Sequence, residues 1–442
     1  MRYRTKTYII STYGNKKEAV IIKRIIVLGG GASGIAAAIS AAEEANGSTE
    51  VVLVEQNPRI GKKILATGNG RCNFDNTSAS IDFYYSSDKA SARQMLDTVA
   101  AFAPDEWFYR HGLIPREEDC RLYPYSNQAA DLLNLLLYWL DKLNVKVLTE
   151  HKVSDIFAKG QSFGIVFENG EKLFGEAVIC ALGGSAGPQF GTDGFGTRLA
   201  KLCGCKIEPL YPCLVPLRCE KAQISGLSGI RVKATAALLF DGKAYHTEAG
   251  EIQFTDYGLS GIAVMQLSGF LSPDKRGSHA EISLDLFPHL DEPQLFELLS
   301  DRAKLFSDSP VSDLSVGLIN RRVFSAVWKR LGIGEESRNV SSLSDNELHH
   351  LAKMLKDWRF DKLESTGWQH AQTTGGGIAL SQIDSRSFTL KGCDGLYFVG
   401  ESLDCAGFCG GFNLHWAFGS GIVAGRSAAG YVKSSQKKRT KR

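Results

Sequence analysis

The sequence predicts an α/β protein built on a doubly wound parallel sheet, with further domains inserted in the middle of the chain. Three observations carry that expectation. Residues 25–28, Ile-Ile-Val-Leu, form a continuous apolar run that stops at Gly29-Gly30-Gly31-Ala32-Ser33-Gly34. An alanine-rich stretch from Ile35 to Ala45 follows and reads as a helix, and a second apolar run, Val51 to Val54, ends at Glu55. Apolar runs that alternate with a helix suit parallel strands covered on both faces.

The other elements follow in order. Residues 1–22 read as a disordered extension, and 23–205 as the first part of the nucleotide domain. From 206 to 288 the texture changes to alternating strands, with Ile230 to Phe240 followed by a turn at Asp241-Gly242. From 289 to 364 it is helical: Ser344 and Glu347 form a capping box ahead of Leu348, Leu351, Leu355 and Trp358 on one face. Strand texture returns at Leu396-Tyr397-Phe398-Val399, ahead of a last helix near 412–430. Residues 365–432 are therefore the returning half of the nucleotide domain, and 433–442 a basic tail.

Composition narrows the class. A chain of 442 residues, 43% of them apolar, has ample material for a large core, which excludes a disordered chain. No window approaches 18 uninterrupted apolar residues, so no membrane-spanning helix is expected. The N-terminus has no apolar core ahead of a small-residue cleavage site and is not read as a secretory signal. Ten cysteines fall far short of a disulfide scaffold and predict reduced thiols in a cytoplasmic protein. Of the net +3, residues 1–24 supply +6 and residues 437–442 supply +5, which leaves −8 for the rest. Such confinement of positive charge to the ends argues against a nucleic-acid partner.

Gly29-x-Gly31-x-x-Gly34 directly follows a predicted strand and opens a predicted helix, with Glu55 at the end of the next strand. Gly29 permits the tight turn, Gly31 lets backbone approach a pyrophosphate, and Gly34 lets helix and strand pack closely. The helix N-terminus then offers unpaired N–H groups to the phosphates. Glu55 can accept hydrogen bonds from ribose hydroxyls. These features together specify a Rossmann-like dinucleotide site. At the far end, Gly400-Glu401 follows a buried strand and Gly410-Gly411-Phe412-Asn413 opens the final helix. No second fingerprint exists, and Gly191-Thr192-Asp193-Gly194-Phe195-Gly196 has the wrong spacing. One nucleotide fold with a closing acidic element favours FAD over NAD.

Longer motifs carry a resemblance. Gly61-Lys62-Lys63-x-x-Ala66-Thr67-Gly68-Asn69-Gly70-Arg71-Cys72-Asn73, Phe254-Thr255-Asp256-Tyr257-Gly258-Leu259-Ser260-Gly261, Thr374-Gly375-Gly376-Gly377 and Gly400-Glu401-x-Leu403-Asp404 occur in that order. With Gly410-Gly411-Phe412-Asn413-Leu414, they resemble the BaiN/RdsA-type flavoproteins, a family that also includes enzymes called aminoacetone oxidases. The resemblance covers about residues 23–432. It implies an FAD-binding domain from both chain ends, a β-barrel-like insert and a helical insert. It also implies FAD contacts at Ala32, Ser33, Glu55, Gln56, Lys62, Lys63, Arg71, Cys72, Asn73, Glu401, Asn413 and Leu414. Val153 looks like the backbone clamp on adenine in related folds, and the expected cofactor set also takes in Gly70, Gly183, Gly400, Gly411 and Phe412. The chain departs from the family at Asp256, where many members carry His, so a proton donor is not carried over to that position.

Other candidates are weighed by chemistry. Cys405 and Cys409 flank the presumed flavin loop, and packing is the ordinary role of such thiols in a reducing cytosol. Cys72 has no second thiol nearby in its segment, which disfavours a disulfide reductase. Cys203, Cys205, Cys213 and Cys219 lack paired zinc spacing, and no metal is expected. His370 falls near a predicted cofactor-facing loop, and His349-His350 lie on an amphipathic helix. Tyr257, Arg71 and His415 are the candidate catalytic residues: a phenol to protonate a carbonyl, a guanidinium beside flavin or phosphate, and an imidazole one turn into the last helix.

The favoured function is reduction of a double bond conjugated with a ketone, by FAD recharged from NADH or NADPH. The resemblance points to 3-oxo-Δ4 or Δ4,6 steroid or bile-acid intermediates as the small-molecule substrate. An oxidase of a small amino-ketone is the alternative, and an FAD-binding RNA-associated or regulatory protein is a third.

Overall fold

The computed structural model describes residues 23–275 and 279–440, so the expected extension 1–22 lies outside the described residues. The predicted opening is present: β1 (Arg24–Leu28), α1 (Ala32–Ala45) and β2 (Glu50–Val54). β1 is the middle strand of a five-stranded sheet whose order is Leu396–Phe398, Ala177–Cys180, β1, β2, Lys146–Leu148. Every pairing in it is parallel. β1 and Ala177–Cys180 are almost wholly buried, as expected for strands covered on both faces. Because Leu396–Phe398 pairs with Ala177–Cys180, residues from both ends of the chain complete one sheet.

The last helix, Phe412–Thr440, extends past the end expected near 430, so the backbone of 433–440 is helical rather than a tail. It packs tightly on α1. A Cβ on Gly421 would stand 2.2 Å from the Ser33 carbonyl oxygen, and one on Gly425 2.3 Å from that of Ala37. The alanines that looked merely helix-forming in the sequence are the other half of this close seam.

The middle of the chain forms a seven-stranded sheet with all pairings antiparallel. Its edge strands, Trp358–Phe360 and Glu364–Ser365, are separated only by residues 361–363. A link that short spans at most about 15 Å, so the sheet must curl until its edges nearly meet. That is the barrel-like insert. Helices Glu292–Leu305, Arg321–Leu331 and Asp345–Lys356 pack against it, and Leu299, Phe324, Trp328 and Leu351 share one core with Ile252, Phe254, Ile282 and Trp358. The β and helical insertions are thus one body. The capping box forms as read: Ser344 Oγ accepts from Glu347 N, and Glu347 Oε2 accepts from Ser344 N.

Two antiparallel strands, Ile207–Cys213 and Thr373–Ile378, make the neck between the parallel sheet and the insert. Among the described residues no helix is long and apolar enough to cross a membrane.

Candidate functional site

A cleft opens along the C-terminal ends of β1 and β2, where a doubly wound sheet binds its ligands. The three fingerprint glycines answer to different constraints. Gly29 has φ +105°, and a Cβ on it would stand 2.3 Å from the Ala181 carbonyl oxygen. A Cβ on Gly34 would stand 1.8 Å from the Gly29 carbonyl oxygen. These two are required by protein packing. Gly31 has φ −85° and nothing within 4 Å of a Cβ, so the space beside it is open. No side chain caps α1 and no acidic residue occupies its first turn. Its first N–H groups and positive dipole end therefore face the cleft, an arrangement that favours a phosphate.

Glu55, at the end of β2, uses both carboxylate oxygens. Oε2 accepts from Gly30 N at 2.8 Å, while Oε1 accepts from Asn57 N at 2.8 Å and Asn57 Nδ2 at 2.7 Å. It therefore locks the glycine turn as well as bordering the cleft. The loop after Ala177–Cys180 crosses to the same segment: Lys62 Nζ donates to Gln189 O at 3.1 Å, Asn57 Nδ2 to Phe190 O at 3.3 Å, and Gln56 Nε2 to Gly191 O.

Glu401 is anchored from two sides. Lys63 Nζ lies 2.7 Å from its Oε2, and its Oε1 accepts from Thr374 N at 3.1 Å and Thr374 Oγ1 at 2.8 Å. Thr374 Oγ1 in turn accepts from Ser185 N and Ala186 N. This Thr374 relay, not singled out as a site in the sequence, was visible only as part of the Thr374-Gly375-Gly376-Gly377 segment. Asn57 and Gln372, which also line the cleft, carried no recognisable signal.

Gly29, Gly31, Ala32, Ser33, Glu55, Gln56, Lys62, Lys63, Val153, Gly183, Glu401, Asn413 and Leu414 all line this cleft. The rest of the expected set does not, Gly34 serving as packing. Gly400 is packed against Ser33, Gly411 against the Asp75 carbonyl, and Phe412 stacks on Phe83 with ring centroids 4.7 Å apart. Gly70 has φ +83° with open space where a Cβ would stand, so it serves its turn. Arg71 is held by both Glu118 carboxylate oxygens at 2.7 and 2.8 Å, by Asn127 Oδ1, and over the Tyr123 ring. Burial pushes the Cys72 thiol up to about 12. Asn73 Oδ1 is buried without a hydrogen-bond partner beside Gly411. Asn413 lines the cleft while its amide clamps the 407–408 backbone, accepting from Gly407 N and donating to Gly407 O.

The candidate catalytic trio is not brought together. His415 Nδ1 lies 2.6 Å from Asp75 Oδ1 in a buried pair. Tyr257 stands on an insert turn with Arg218 beside its ring. Neither, nor Arg71, lines the cleft. His370 is exposed, with Nδ1 near the Thr366 carbonyl. Cys405 does line the cleft and is buried, and Cys409 contacts Gln372. Among the described residues no group of three or more metal-ligating side chains forms a metal site.

A glycine turn on the central strand, an acid closing the next strand and an uncapped helix N-terminus between them define a Rossmann-type dinucleotide-binding protein. The chain belongs to the HI0933-like protein Rossmann domain family, whose model matches residues 23–427. It is 32% identical over 390 residues to a 3-dehydro-bile acid delta(4,6)-reductase of Clostridium scindens, covering 88% of this chain and 95% of that one. It is 26% identical over 373 residues to a ribosomal RNA dihydrouridine synthase of Escherichia coli, covering 84% and 90%. Among solved structures, the open conformation of a flavocytochrome c3 fumarate reductase aligns with 94% of this chain and 79% of its own, at 14% identity and a TM-score of 0.47.

Proposed function

We propose that the protein is a flavin-dependent reductase of carbon–carbon double bonds conjugated to a ketone, with FAD in the cleft and NADH or NADPH as electron donor. The observation that carries this reading is the cleft's two-ended form. Open space at Gly31 beside an uncapped helix suits a pyrophosphate, and Asn413 and Leu414 at the start of the last helix line the opposite end. A long dinucleotide fits such a site. The donor set agrees with it: N–H groups and lysines on the phosphate side, a carboxylate at the ribose position, and apolar Leu414 and Trp416 on the ring side.

FAD would supply a hydride donor at flavin N5. The chain supplies the rest. The first N–H groups of α1 would hold the phosphates, Glu55 would orient the ribose, and the backbone near Val153 would flank the adenine. Lys63 fixes Glu401, which would bind the ribityl chain, and the N-terminus of Phe412–Thr440 would place partial positive charge beside the ring system.

The substrate class follows the bile acid reductase relative: a 3-oxo-Δ4 or Δ4,6 steroid or bile-acid intermediate. The relatives named ribosomal RNA dihydrouridine synthase favour a second reading, reduction of a uridine ring. The chemistry is the same, because dihydrouridine differs from uridine by two hydrogens across a double bond conjugated with a carbonyl. The net −8 of the chain between its basic ends supports the small molecule over the nucleic acid.

The test is anaerobic. NADH or NADPH should bleach the bound flavin, and a 3-oxo-Δ4 steroid should restore its colour. If aminoacetone bleaches it and oxygen alone restores it, the protein is an oxidase. A folded, colourless protein that ignores added FAD would refute the cofactor itself.

A further inference from the structure

The long insert strand Lys243–Phe254 changes character along one face. Side chains two residues apart share a face, so Phe254, Ile252, Gly250, Glu248 and His246 point the same way. At one end that face is core, with Ile252 and Phe254 at 0% exposure. At the other it carries two ionisable groups. Their register partners on Arg231–Phe240 are buried and apolar: Ala236 opposite Glu248, and Leu238 opposite His246. Two polar, ionisable side chains thus stand on a face that is apolar core further along the same strand.

Helix Ile262–Ser268 reaches the face at Gly250, where a Cβ would contact Ala263. Beyond Gly250, Phe270 of the insert and Phe408 of the nucleotide domain flank the face. The His246 ring lies 4.4 Å from that of Phe270 and 6.1 Å, edge-on, from that of Phe408. Phe408 belongs to the loop between Cys405, which lines the cleft, and the start of the last helix. Gln372, also in the cleft wall, contacts Cys409 Sγ at 3.8 Å and Met265 Sδ at 3.7 Å, so the ring end of the cleft and helix Ile262–Ser268 are contiguous. His246 Nε2 lies 2.8 Å from Glu248 Oε1, and the two side chains keep 35% and 18% exposure. Tyr257 lies beyond the opposite end of the same strand. The nine residues from His246 to Phe254 cover about 26 Å of extended strand, which places the two side chains at opposite ends of it.

We propose that His246, held by Glu248, donates the proton to the substrate where the insert meets the 405–411 loop. The proposal rests on the reductase reading above. FAD held in the cleft would supply the hydride to the β-carbon of the enone, and the double-bond pair would move onto the α-carbon and carbonyl oxygen. The proton of the His246 imidazolium then goes to the α-carbon, leaving neutral imidazole, saturated ketone and oxidised flavin. Water returns the proton to His246, and NAD(P)H returns the hydride to the flavin. Glu248, by engaging Nε2, orients the ring and leaves Nδ1 for the substrate. Tyr85, Phe270 and Phe408 pack against one another at this junction, with ring centroids 4.6–6.0 Å apart.

The experiment separates the half-reactions in wild type, His246→Gln, His246→Ala and Glu248→Gln. Flavin content and the rate of anaerobic bleaching by NADH should match wild type in all three variants. Recolouring by a 3-oxo-Δ4 steroid, or by a uridine-containing RNA oligonucleotide if that is the effective oxidant, should slow 100-fold or more in both His246 variants. Added imidazole should restore part of the rate in His246→Ala, which loss of a merely structural histidine would not allow. Binding of the saturated ketone, read from its perturbation of the oxidised flavin spectrum, should change less than threefold. Recolouring within threefold of wild type in His246→Gln would overturn the proposal while leaving the reductase reading intact. If neither oxidant recolours even the wild type, the reductase reading fails and takes this proton donor with it.

Discussion

The two ends of the cleft are built in opposite ways. The phosphate end is built on one continuous stretch, β1 through Glu55, whose turn is held by contacts between near neighbours and adjacent strands. The ring end is assembled from pieces far apart in the chain: Gln372, Cys405, Asn413, Leu414 and Trp416 line it together, and Lys63 reaches across to Glu401. The first is a local device whose spacing is its mechanism. The second exists only once the parallel sheet has closed with its last strand and the insert has folded on its neck.

The difference is sharpest between two glycines of the same turn. In Gly34→Ala a methyl group is forced against the Gly29 carbonyl oxygen, backbone against backbone, so nothing can rotate away. That should cost about 3 kcal/mol or more, read as a large fall in the denaturation midpoint or loss of folded protein. Gly31→Ala should fold normally, since its φ is ordinary and its Cβ meets nothing. It should instead weaken FAD tenfold or more, about 1.4 kcal/mol, because the methyl stands where backbone must approach phosphate. If the two variants exchanged phenotypes, the division of roles between packing and ligand would be wrong.

Next in size is Glu55→Ala. The carboxylate accepts from Gly30 N and from Asn57, and would accept from the ribose as well. Loss of such charge-assisted bonds should weaken FAD by about 1.5–3 kcal/mol in a titration of the apoprotein. An unchanged affinity would assign Glu55 to the turn alone.

What was legible in the sequence follows the same line. Gly29, Gly31, Gly34 and Glu55 could be given roles from spacing because a parallel strand, a turn and a helix leave little else for them to do. The capping box at Ser344 and Glu347 is equally local. The close seam between α1 and the last helix was not legible, because Gly421 and Gly425 have meaning only opposite Ser33 and Ala37. Nor could spacing show that Arg71 is already claimed by Glu118, or that His415 faces Asp75. His246 and Glu248 fall in the stretch of alternating strands, and spacing could not show that His246 packs beside Phe270 and Phe408.

The smallest expected effect concerns the two thiols at the ring end, and it tests whether that end uses them chemically. Cys405 lies in the cleft wall, and Cys409 touches a residue of that wall. Burial raises the Cys405 thiol well above its ordinary range and pushes Cys409 up to about 12. Since the thiolate is the nucleophile, a group at 12 is ionised to only about three parts in 100,000 at pH 7.5. Cys405→Ser with Cys409→Ser should therefore change turnover by less than about threefold. Iodoacetamide should label the wild-type pair slowly, and activity should show no thiolate-dependent rise between pH 7 and 9. Linkage gives a second readout with a definite sign. Both folded-state values are raised, so the unfolded chain loses these protons first. The stability contributed is complete below the ordinary thiol value near 8.5 and declines as pH rises from there toward 12. The double serine variant should show a shallower alkaline decline in its denaturation midpoint than wild type. Loss of most turnover with FAD still bound would instead make the pair part of the chemistry, and the ring end would then carry a redox function that burial of the thiols argues against.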